Sequence, residues 1–274
     1  MSALPSDHPR SIVSRLRAAG CVFAEEEARL LVAAARTPSD LETMVDRRIT
    51  GFPLEQILGW AQFCGIRIAV DEGVFVPRRR TEFLVREAAD LLRPNAIVVD
   101  LCCGSGAVGA ALATAGDRIE LWAVDIDPAA VRCARRNLAR TGAQVYEGDL
   151  DAPLPAALRG RVDVLVANAP YVPTEELGLL PPEARVHEPS VALDGGADGL
   201  DVQRRVITAA PRWLAPGGSL LIETSGSQAP RTAEAMARSG LAPRITCCAE
   251  LDATIAIGRW PGRNGSTRHR TGGS

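Results

Sequence analysis

The sequence predicts an α/β fold in which a mainly parallel, doubly wound sheet follows a small helical amino-terminal region. From about residue 96 onward, short β-branched apolar runs alternate with segments of helical periodicity. Residues 11–45 instead carry their apolar side chains at helical spacing alone. With 274 residues, 46% of them hydrophobic, the chain is long enough to bury a sizeable core.

Helices are predicted throughout the amino-terminal region. Apolar residues recur at helical spacing over residues 11–35, and Gly20 separates two helices there. A further helix starts at Thr37, which is followed by a proline suited to the first helical position. Residues 1–9 are polar and are predicted to be disordered. Because basic and acidic residues balance in residues 1–95, this region is interpreted as a protein-docking or substrate-covering module.

A β-hairpin is predicted to join the two regions. Residues 65–76 alternate in a way that favours two strands around the turn Asp71-Glu72-Gly73. A helix over 81–92 then opens the larger domain. The predicted organisation is a helical domain at 1–62, a hairpin linker at 63–80, a sheet domain at 81–260 and a disordered polar tail at 261–274.

The larger domain alternates strands and helices in the order expected of a doubly wound sheet. Strands are predicted at 96–100, 119–125, 143–149, 162–168 and 219–224, and helices near 107–115, 128–140, 199–214 and 227–239. Two further strands, 244–248 and 254–260, are separated by only a short link. The last strand is therefore predicted to run antiparallel.

Composition narrows the classes of function. The net charge is −2, there is no strong basic run, and every basic residue is an arginine, so nucleic acid is unfavoured as a partner. A phosphate-binding or Schiff-base lysine is excluded because the chain contains no lysine. Seven cysteines without a C-x-x-C pair, and three histidines, indicate neither a metal site nor a disulfide framework. Without a signal peptide or a long apolar run, we expect a cytoplasmic, non-membrane protein that acts as a monomer.

A glycine-rich loop follows the first strand of the sheet domain. Asp100 ends that strand, and Gly104, Gly106 and Gly109 satisfy the pattern G-x-G-x-x-G. Asp125 ends the next strand, where an acid can bind ribose hydroxyls. This pattern fits both a nicotinamide dinucleotide and S-adenosylmethionine.

Three details favour S-adenosylmethionine. The carboxylate of Asp100, directly before the loop, suits a cationic amino-acid group better than a pyrophosphate. Asp149, at the end of the third strand, is placed to accept from an adenine amino group. The fourth strand ends in Asn168-Ala169-Pro170-Tyr171, which has no evident part in hydride transfer. Each acid alone would be better explained by an ordinary turn, and it is their occurrence together at successive strand ends of one sheet that favours a binding site.

The tetrapeptide N-A-P-Y offers two hydrogen-bond acceptors beside an aromatic ring. Asn168 lies at the carboxyl end of a strand, where open α/β sheets carry their ligands. Pro170 favours an extended Ala169, so its carbonyl can point to the same place as the Asn168 side chain. Two acceptors above the Tyr171 ring suit a planar group that bears an NH2. A strand end followed by an ordinary proline turn is the alternative.

With these motifs, the sequence resembles the HemK-like protein-(glutamine-N5) methyltransferases, which include the release-factor methyltransferases. The matching segments are P-L-E-Q-I-L-G (53–59), V-P-R-R-R-T-E (76–82), D-L-C-C-G-S-G-A (100–107), N-A-P-Y (168–171), E-P-S-V-A-L-D-G-G-A-D-G-L-D (188–201) and E-T-S-G-S-Q (223–228). The resemblance implies a class I S-adenosylmethionine-dependent methyltransferase with a Rossmann-like, mainly parallel seven-stranded sheet and an antiparallel last strand. It also implies a helical amino-terminal domain that helps to dock a protein substrate.

The resemblance further implies transfer of a methyl group from S-adenosylmethionine to a glutamine side-chain amide, with S-adenosylhomocysteine as the product. Asn168 and the Ala169 carbonyl would hold the amide. Pro170 and Tyr171 would shape the space around it, here called the slot, which is formed by residues 168–171. The implied cofactor-binding residues are Asp100, Cys102, Gly104, Gly106, Asp125, Ile126, Asp149, Leu150 and Asn168. The protein partner would be a substrate that presents a glutamine, such as a release factor.

Several positions depart from the family pattern. Ala169 replaces the first proline of N-P-P-Y, and Cys102 replaces a glycine of the cofactor loop. Further departures are Arg79, Gln56, His187 and Ser225. Because several lie where the substrate is expected, methyl transfer is better supported than the identity of the acceptor. The alternatives are a nucleic-acid amino methyltransferase, a small-molecule methyltransferase with a helical lid, and a non-catalytic binding protein.

Overall fold

The computed structural model describes residues 8–261 of the chain. It begins with helices α1 (His8–Ala18), α2 (Ala24–Ala34), α3 (Pro38–Ile49) and α4 (Leu54–Leu58). These helices enclose their own small core, built mainly by Ile12, Leu16, Leu31 and Leu41. Helix α3 starts next to Thr37 as predicted, and the Thr37 hydroxyl caps it by accepting from the Asp40 N–H at 3.1 Å. Disorder was predicted for residues 1–9 and 261–274. Most of these residues lie outside the described ones, but residues 8 and 9 belong to α1, and residue 261 is also described.

The hairpin lies earlier in the chain than predicted. Strands β1 (Trp60–Phe63) and β2 (Ile66–Ala69) pair antiparallel around the two residues Cys64 and Gly65. Both have positive φ, 46° and 78°, which matches the twist that a two-residue hairpin turn requires. Residues 71–73 do form a turn, closed by a hydrogen bond from Val74 N to Asp71 O. This turn does not connect two strands that pair with each other, because β2 pairs with β1 and no strand follows the turn before residue 97. The predicted turn position was therefore wrong.

The large domain is a seven-stranded sheet. Its strands are β3 (Ile97–Leu101), β4 (Glu120–Asp125), β5 (Gln144–Glu147), β6 (Val162–Ala167), β7 (Leu214–Thr224), β8 (Ala242–Cys248) and β9 (Ala253–Arg259). They lie in the order β5-β4-β3-β6-β7-β9-β8, with β9 antiparallel to both neighbours. The predicted mainly parallel sheet with an antiparallel last strand is confirmed.

Helices cover both faces of this sheet. They are α5 (Glu82–Ala89), α6 (Ala107–Ala115), α7 (Pro128–Asn137), α9 (Asp201–Trp213) and α10 (Ala229–Arg238). The short helix α8 (Pro182–His187) lies outside these two layers. Successive residues of β3 alternate between two cores, since Val98 packs with α5–α7 while Val99 packs with α9 and α10. Within residues 8–261, no helix is long and apolar enough to cross a membrane.

The strand order reverses at β3, because the strands that follow it in the chain are added first on one side of it and then on the other. Strands β4 and β5 extend the sheet on one side of β3, and β6 extends it on the other. The parallel register pairs Leu101 with Ala167. Cys102 and Asn168, which directly follow these two strands, therefore lie beside each other at the carboxyl edge, where open α/β sheets bind ligands.

Candidate active site

A cavity of about 750 Å³ opens at this edge of the sheet. Its volume is in the range typical of small-molecule and cofactor sites. One side is closed by residues 173–194, here called the covering segment, which includes α8 and follows the N-A-P-Y tetrapeptide. The predicted site residues that line the cavity are Cys102, Gly104, Asp125, Ile126, Asp149, Leu150, Asn168, Ala169, Pro170 and Tyr171.

The glycine-rich loop is tied to the end of β4. Asp125 Oδ2 accepts from Gly104 N at 2.7 Å, and Asp125 Oδ1 accepts from Asp127 N at 2.9 Å. Burial raises the pKa of Asp125, and these two backbone bonds oppose that shift. Each carboxylate oxygen keeps a second lone pair, so Asp125 can still accept from two ribose hydroxyls.

Asp100 and Gly106 do not line the cavity. The Asp100 carboxyl is buried, and its Oδ2 accepts from Gly109 N at 3.0 Å. Burial raises the pKa of Asp100 to about 7. Gly106 has φ 78° at the start of α6, where a Cβ atom would lie 3.1 Å from Ala134 Cα. Both residues shape the loop from behind, whereas the sequence predicted that Asp100 would face the cofactor.

The far end of the cavity carries an exposed apolar side chain and an acidic one. Ile126 is 50% exposed although it is a large aliphatic residue, so a flat apolar group in the cavity can cover it. Asp149 lies two residues beyond the end of β5 instead of within the strand as predicted. Its Oδ2 accepts from Arg205 Nη2 at 2.6 Å, which neutralises part of its charge. These features fit the adenosine portion of S-adenosylmethionine.

The N-A-P-Y tetrapeptide follows β6 directly. The Asn168 amide donates from Nδ2 to the Thr81 hydroxyl at 3.2 Å, which leaves Asn168 Oδ1 as the acceptor for a ligand. The guanidinium of Arg80 lies over the Tyr171 ring, 5.8 Å from its centroid. Burial raises the pKa of Tyr171 to about 12, so the phenol stays neutral at physiological pH. The tetrapeptide thus offers neutral polar groups beside an aromatic ring.

Two distant segments hold the backbone of the tetrapeptide. Gln228 Nε2 donates to Tyr171 O at 2.9 Å. Two glycines also pack tightly against this backbone. A Cβ atom on Gly195 would lie 2.8 Å from Pro170 O, and a Cβ atom on Gly199 would lie 2.3 Å from Tyr171 O. Gln228 lies in the segment 223–228 that matches the family, but no role was predicted for it from the sequence. Its signal was its membership of a matching segment far from N-A-P-Y.

The covering segment is also tied to the amino-terminal helices. Arg48 on α3 pairs with Glu27 at 2.6 Å and with Glu183 of the covering segment at 3.4 Å. Gln56 Nε2 donates to His187 O at 3.4 Å, and the His187 ring lies 4.0 Å from the ring of Phe52. Two of the departures from the family pattern, Gln56 and His187, are therefore in contact with each other.

A second ion pair joins the segment before α5 to the covering segment. Glu188 is buried and accepts from Arg78 Nη2 at 2.5 Å and from Val76 N at 3.2 Å. Separating Arg78 from Glu188 would leave a buried charge uncompensated, which is costly. The pair therefore holds residues 76–78 against the covering segment.

Comparison with known proteins agrees with this geometry. Residues 65–179 match the family described as Methyltransferase small domain. The chain is 40% identical over 205 residues to a release factor glutamine methyltransferase of Geobacter sulfurreducens, covering 74% of this chain and 71% of that one. It is 38% identical over 226 residues to a 4-amino-L-phenylalanine/4-methylamino-L-phenylalanine methyltransferase of Streptomyces pristinaespiralis, covering 75% and 77%.

The fold is also found among solved structures. A methyltransferase of Pyrococcus furiosus superimposes with a TM-score of 0.53 at 17% identity, covering 72% of this chain and 90% of that one. Fold and site together define a class I methyltransferase that depends on S-adenosylmethionine. Within that class, the chain belongs to the HemK-like family of release factor glutamine methyltransferases. The predicted family, fold class and cofactor are confirmed.

Proposed function

We propose that this protein methylates the side-chain amide nitrogen of a glutamine in a peptide chain release factor. The observation that carries the proposal is the orientation of Asn168, whose Nδ2 is engaged by Thr81 while Oδ1 is left for an N–H donor. Four of the similar proteins with 39–41% identity are named as release factor glutamine methyltransferases. The neutral tetrapeptide suits an uncharged amide better than a charged acceptor.

Cofactor binding is proposed to use the wall of the cavity. Asp125 would hold the ribose hydroxyls, Ile126 and Leu150 would pack on the adenine, and Asp149 would accept from its amino group. Cys102, Gly104 and Asn168 would lie along the remaining part of the cofactor. Asp100 and Gly106 would act indirectly, by shaping the loop. S-adenosylmethionine supplies a methyl group that is already activated by its positive sulfur.

The chain itself has to position the acceptor. A carboxamide nitrogen is a poor nucleophile because its lone pair is delocalised into the carbonyl. Asn168 Oδ1 and Ala169 O would accept its two N–H groups, orient the nitrogen and stabilise the positive charge that develops on it. Pro170 would fix the direction of the Ala169 carbonyl, and Tyr171 would form the floor of the slot. No strong base is needed, which agrees with a Tyr171 phenol that stays neutral.

The domains are proposed to divide the work. Residues 1–62 would dock the protein substrate, residues 63–80 would link the domains, and residues 81–260 would bind the cofactor and carry out transfer. The Arg48–Glu183 ion pair supports this division, since it connects α3 with the covering segment beside the cavity. We propose a cytoplasmic monomer that does not act directly on nucleic acid.

A small-molecule amine is the second candidate acceptor. It is favoured by the Streptomyces pristinaespiralis relative, which is named for 4-amino-L-phenylalanine and is 38% identical. An arylamine also presents two N–H groups on a planar system, so the same pair of acceptors could hold it.

Methyl transfer from labelled S-adenosylmethionine separates the two candidates. The purified protein is given either a bacterial release factor or 4-amino-L-phenylalanine, and each product is mapped by mass spectrometry. The proposal expects one labelled glutamine in the release factor, and loss of label when that glutamine is replaced by asparagine. Labelling of the amino acid without labelling of the release factor would overturn it.

A further inference from the structure

The methionine portion of the cofactor needs its own contacts in the cavity. It ends in an ammonium group and a carboxylate, whereas the proposed contacts of Asp125, Asp149 and Ile126 hold the adenosine portion. Asp100, which the sequence predicted for the amino-acid group, is buried and turns inward to Gly109. A carboxylate that leaves water for a partly enclosed cavity is costly unless donors or a positive charge compensate it. An arginine in the cavity wall would supply both.

Arg80 is the arginine that the cavity leaves available. Three arginines line the wall, namely Arg78, Arg80 and Arg205. Arg78 Nη2 donates to Glu188 at 2.5 Å, so this guanidinium already holds a carboxylate. Arg205 Nη2 donates to Asp149 in the same way, at 2.6 Å. Within the described part of the chain, the Arg80 guanidinium donates no hydrogen bond of standard geometry to the protein.

A buried carboxylate lies behind Arg80. Glu223, near the end of β7, is 2% exposed, and its Oε1 lies 3.4 Å from Arg80 Nε. Neither oxygen of Glu223 has a hydrogen-bond partner among residues 8–261, so the two groups attract each other through charge alone. The Arg80 side chain is still 45% exposed. A guanidinium has five donors, and an approach through Nε leaves its two terminal nitrogens for a second partner.

Arg80 also lies at the slot end of the cavity. Its guanidinium is 5.8 Å from the centroid of the Tyr171 ring, and Tyr171 belongs to the slot. In S-adenosylmethionine, the methyl group, the adenosine and the methionine chain are attached to one sulfur by separate bonds. With the methyl group at the slot and the adenosine towards Asp149, the methionine carboxylate is left the part of the wall that contains Arg80.

We propose that Arg80 binds the carboxylate of the methionine portion of S-adenosylmethionine. The planar fork of a guanidinium matches a carboxylate, and hydrogen bonds between two charged groups are among the stronger ones in proteins. Arg80 is then a cofactor-binding residue in addition to those that the sequence implied. The inference rests on the proposed position of the cofactor in the cavity. It does not depend on which acceptor is methylated, because it is tested by cofactor binding alone.

Calorimetric titration of the full-length protein with two ligands isolates this contact. S-adenosylhomocysteine carries the carboxylate, and its decarboxylated analogue differs from it by that group alone. For the wild-type protein, loss of the carboxylate should weaken binding by about 10- to 100-fold, the range for hydrogen bonds to a charged group. Equal affinity for the two ligands would overturn the proposal without any substitution in the chain.

Substitution of Arg80 completes the comparison. Arg80→Met should weaken binding of S-adenosylhomocysteine by a similar factor and leave the affinity for the analogue within about twofold, because the lost contact is the same one. Since this variant leaves Glu223 without its counterion, Arg80→Lys is made as well. It keeps a positive charge beside Glu223 but lacks the fork, so it should show a smaller loss, confined to S-adenosylhomocysteine. Arg79→Met is the matched control, because Arg79 is exposed in the same turn and does not line the cavity.

Three outcomes would contradict the proposal. One is unchanged affinity of Arg80→Met for S-adenosylhomocysteine, and a raised KM for the acceptor in that case would assign Arg80 to a carboxylate of the acceptor instead. Another is an equal loss for both ligands, which would indicate a general disturbance of the cavity. The third is a loss of the same size in Arg79→Met.

Asp125→Asn tests the position of the cofactor separately. Both ligands carry the ribose, so this variant should weaken them alike. Unchanged affinity of Asp125→Asn for both ligands would reject the proposed cofactor position, and the assignment of Arg80 with it. A loss in Asp125→Asn without a loss in Arg80→Met would reject the assignment of Arg80 alone.

Discussion

The side-chain amide of Gln228 donates to the carbonyl oxygen of Tyr171 at 2.9 Å and to that of Asp198 at 3.2 Å. Gln228 is itself fixed, since the Ser225 hydroxyl donates to its Oε1 at 2.9 Å. One amide thereby joins the slot, the loop before α9 and the start of α10. Ser225 is a departure from the family pattern, and here it supports this arrangement.

Replacing Gln228 with methionine should loosen the slot without affecting the cofactor. Two backbone carbonyls would lose their donor, so we expect a loss of about 1–3 kcal/mol in the free energy of unfolding. Transfer should fall while affinity for S-adenosylhomocysteine stays within a few-fold. Urea unfolding and calorimetric titration measure the two effects. Gln144→Met, at an exposed position on β5, is the control, and equal behaviour of the two variants would contradict the role given to Gln228.

Gly199→Ala should be strongly disruptive. Gly199 has φ 73°, and a Cβ atom there would lie 2.3 Å from Tyr171 O, which is backbone and cannot rotate away. We expect destabilisation of more than about 1 kcal/mol, together with reduced transfer. Gly178→Ala is the matched control, because Gly178 lies in the covering segment, has no positive φ and has no atom within 4 Å of the added Cβ. Thermal unfolding of both variants checks the prediction, which fails if they melt alike.

Asn168→Ala should lower turnover by about 10²–10³-fold, as expected for loss of one preorganised polar contact in a transition state. Cofactor affinity should change little, because the proposed ribose and adenine contacts lie elsewhere. Single-turnover transfer and cofactor titration separate the two quantities. Ala169→Pro is the companion variant: it keeps the carbonyl and stiffens the backbone, so it should retain activity. Near-normal transfer by Asn168→Ala would remove that side chain from the mechanism.

Asp198 should make stability depend on acid pH. Hydrogen bonds from Arg204, at 2.6 Å, lower the pKa of Asp198, and Leu200 N and Arg231 add to the effect. Because the folded-state pKa is depressed, the stabilisation is present in full well above the unfolded-state pKa, near 3.9. It is lost as pH falls from about 5 towards the folded-state value.

The measurement is the difference in unfolding free energy between wild type and Asp198→Asn, from urea titrations between about pH 3 and pH 7. This difference should be constant near neutrality and shrink at the acid end. Asp117→Asn is the control, since its carboxylate pairs with the adjacent, exposed Arg118. A difference that is independent of pH would show that the Asp198 ion pairs do not contribute through its charge.

The alternation of strands and helices was enough to predict the sheet and the positions of Asp125 and Asn168. Hydrophobic periodicity is a local property of the chain, and parallel strands bring their carboxyl ends to one edge. Residues that end successive strands were therefore predictable as neighbours before any contact was known. The tetrapeptide N-A-P-Y and its flanking strand could be interpreted for the same reason.

Other features depended on packing between distant parts of the chain. The hairpin turns at Cys64 and Gly65, and nothing local distinguished this pair from the more typical turn residues 71–73. Asp100 lies at the expected strand end, yet its side chain turns inward to Gly109, a choice between two faces that periodicity leaves open when both are buried.

Thr81 contacts Asn168 from a position 87 residues before it in the chain, and Gln228 contacts Tyr171 from a position 57 residues after it. The sequence by itself determined the alternation of strands and helices in the sheet domain and the strand ends next to Asp125 and Asn168, because hydrophobic periodicity is a local property. Only the tertiary structure decided which side chains meet behind the slot, because that depends on how helices and loops remote in sequence pack against one strand end.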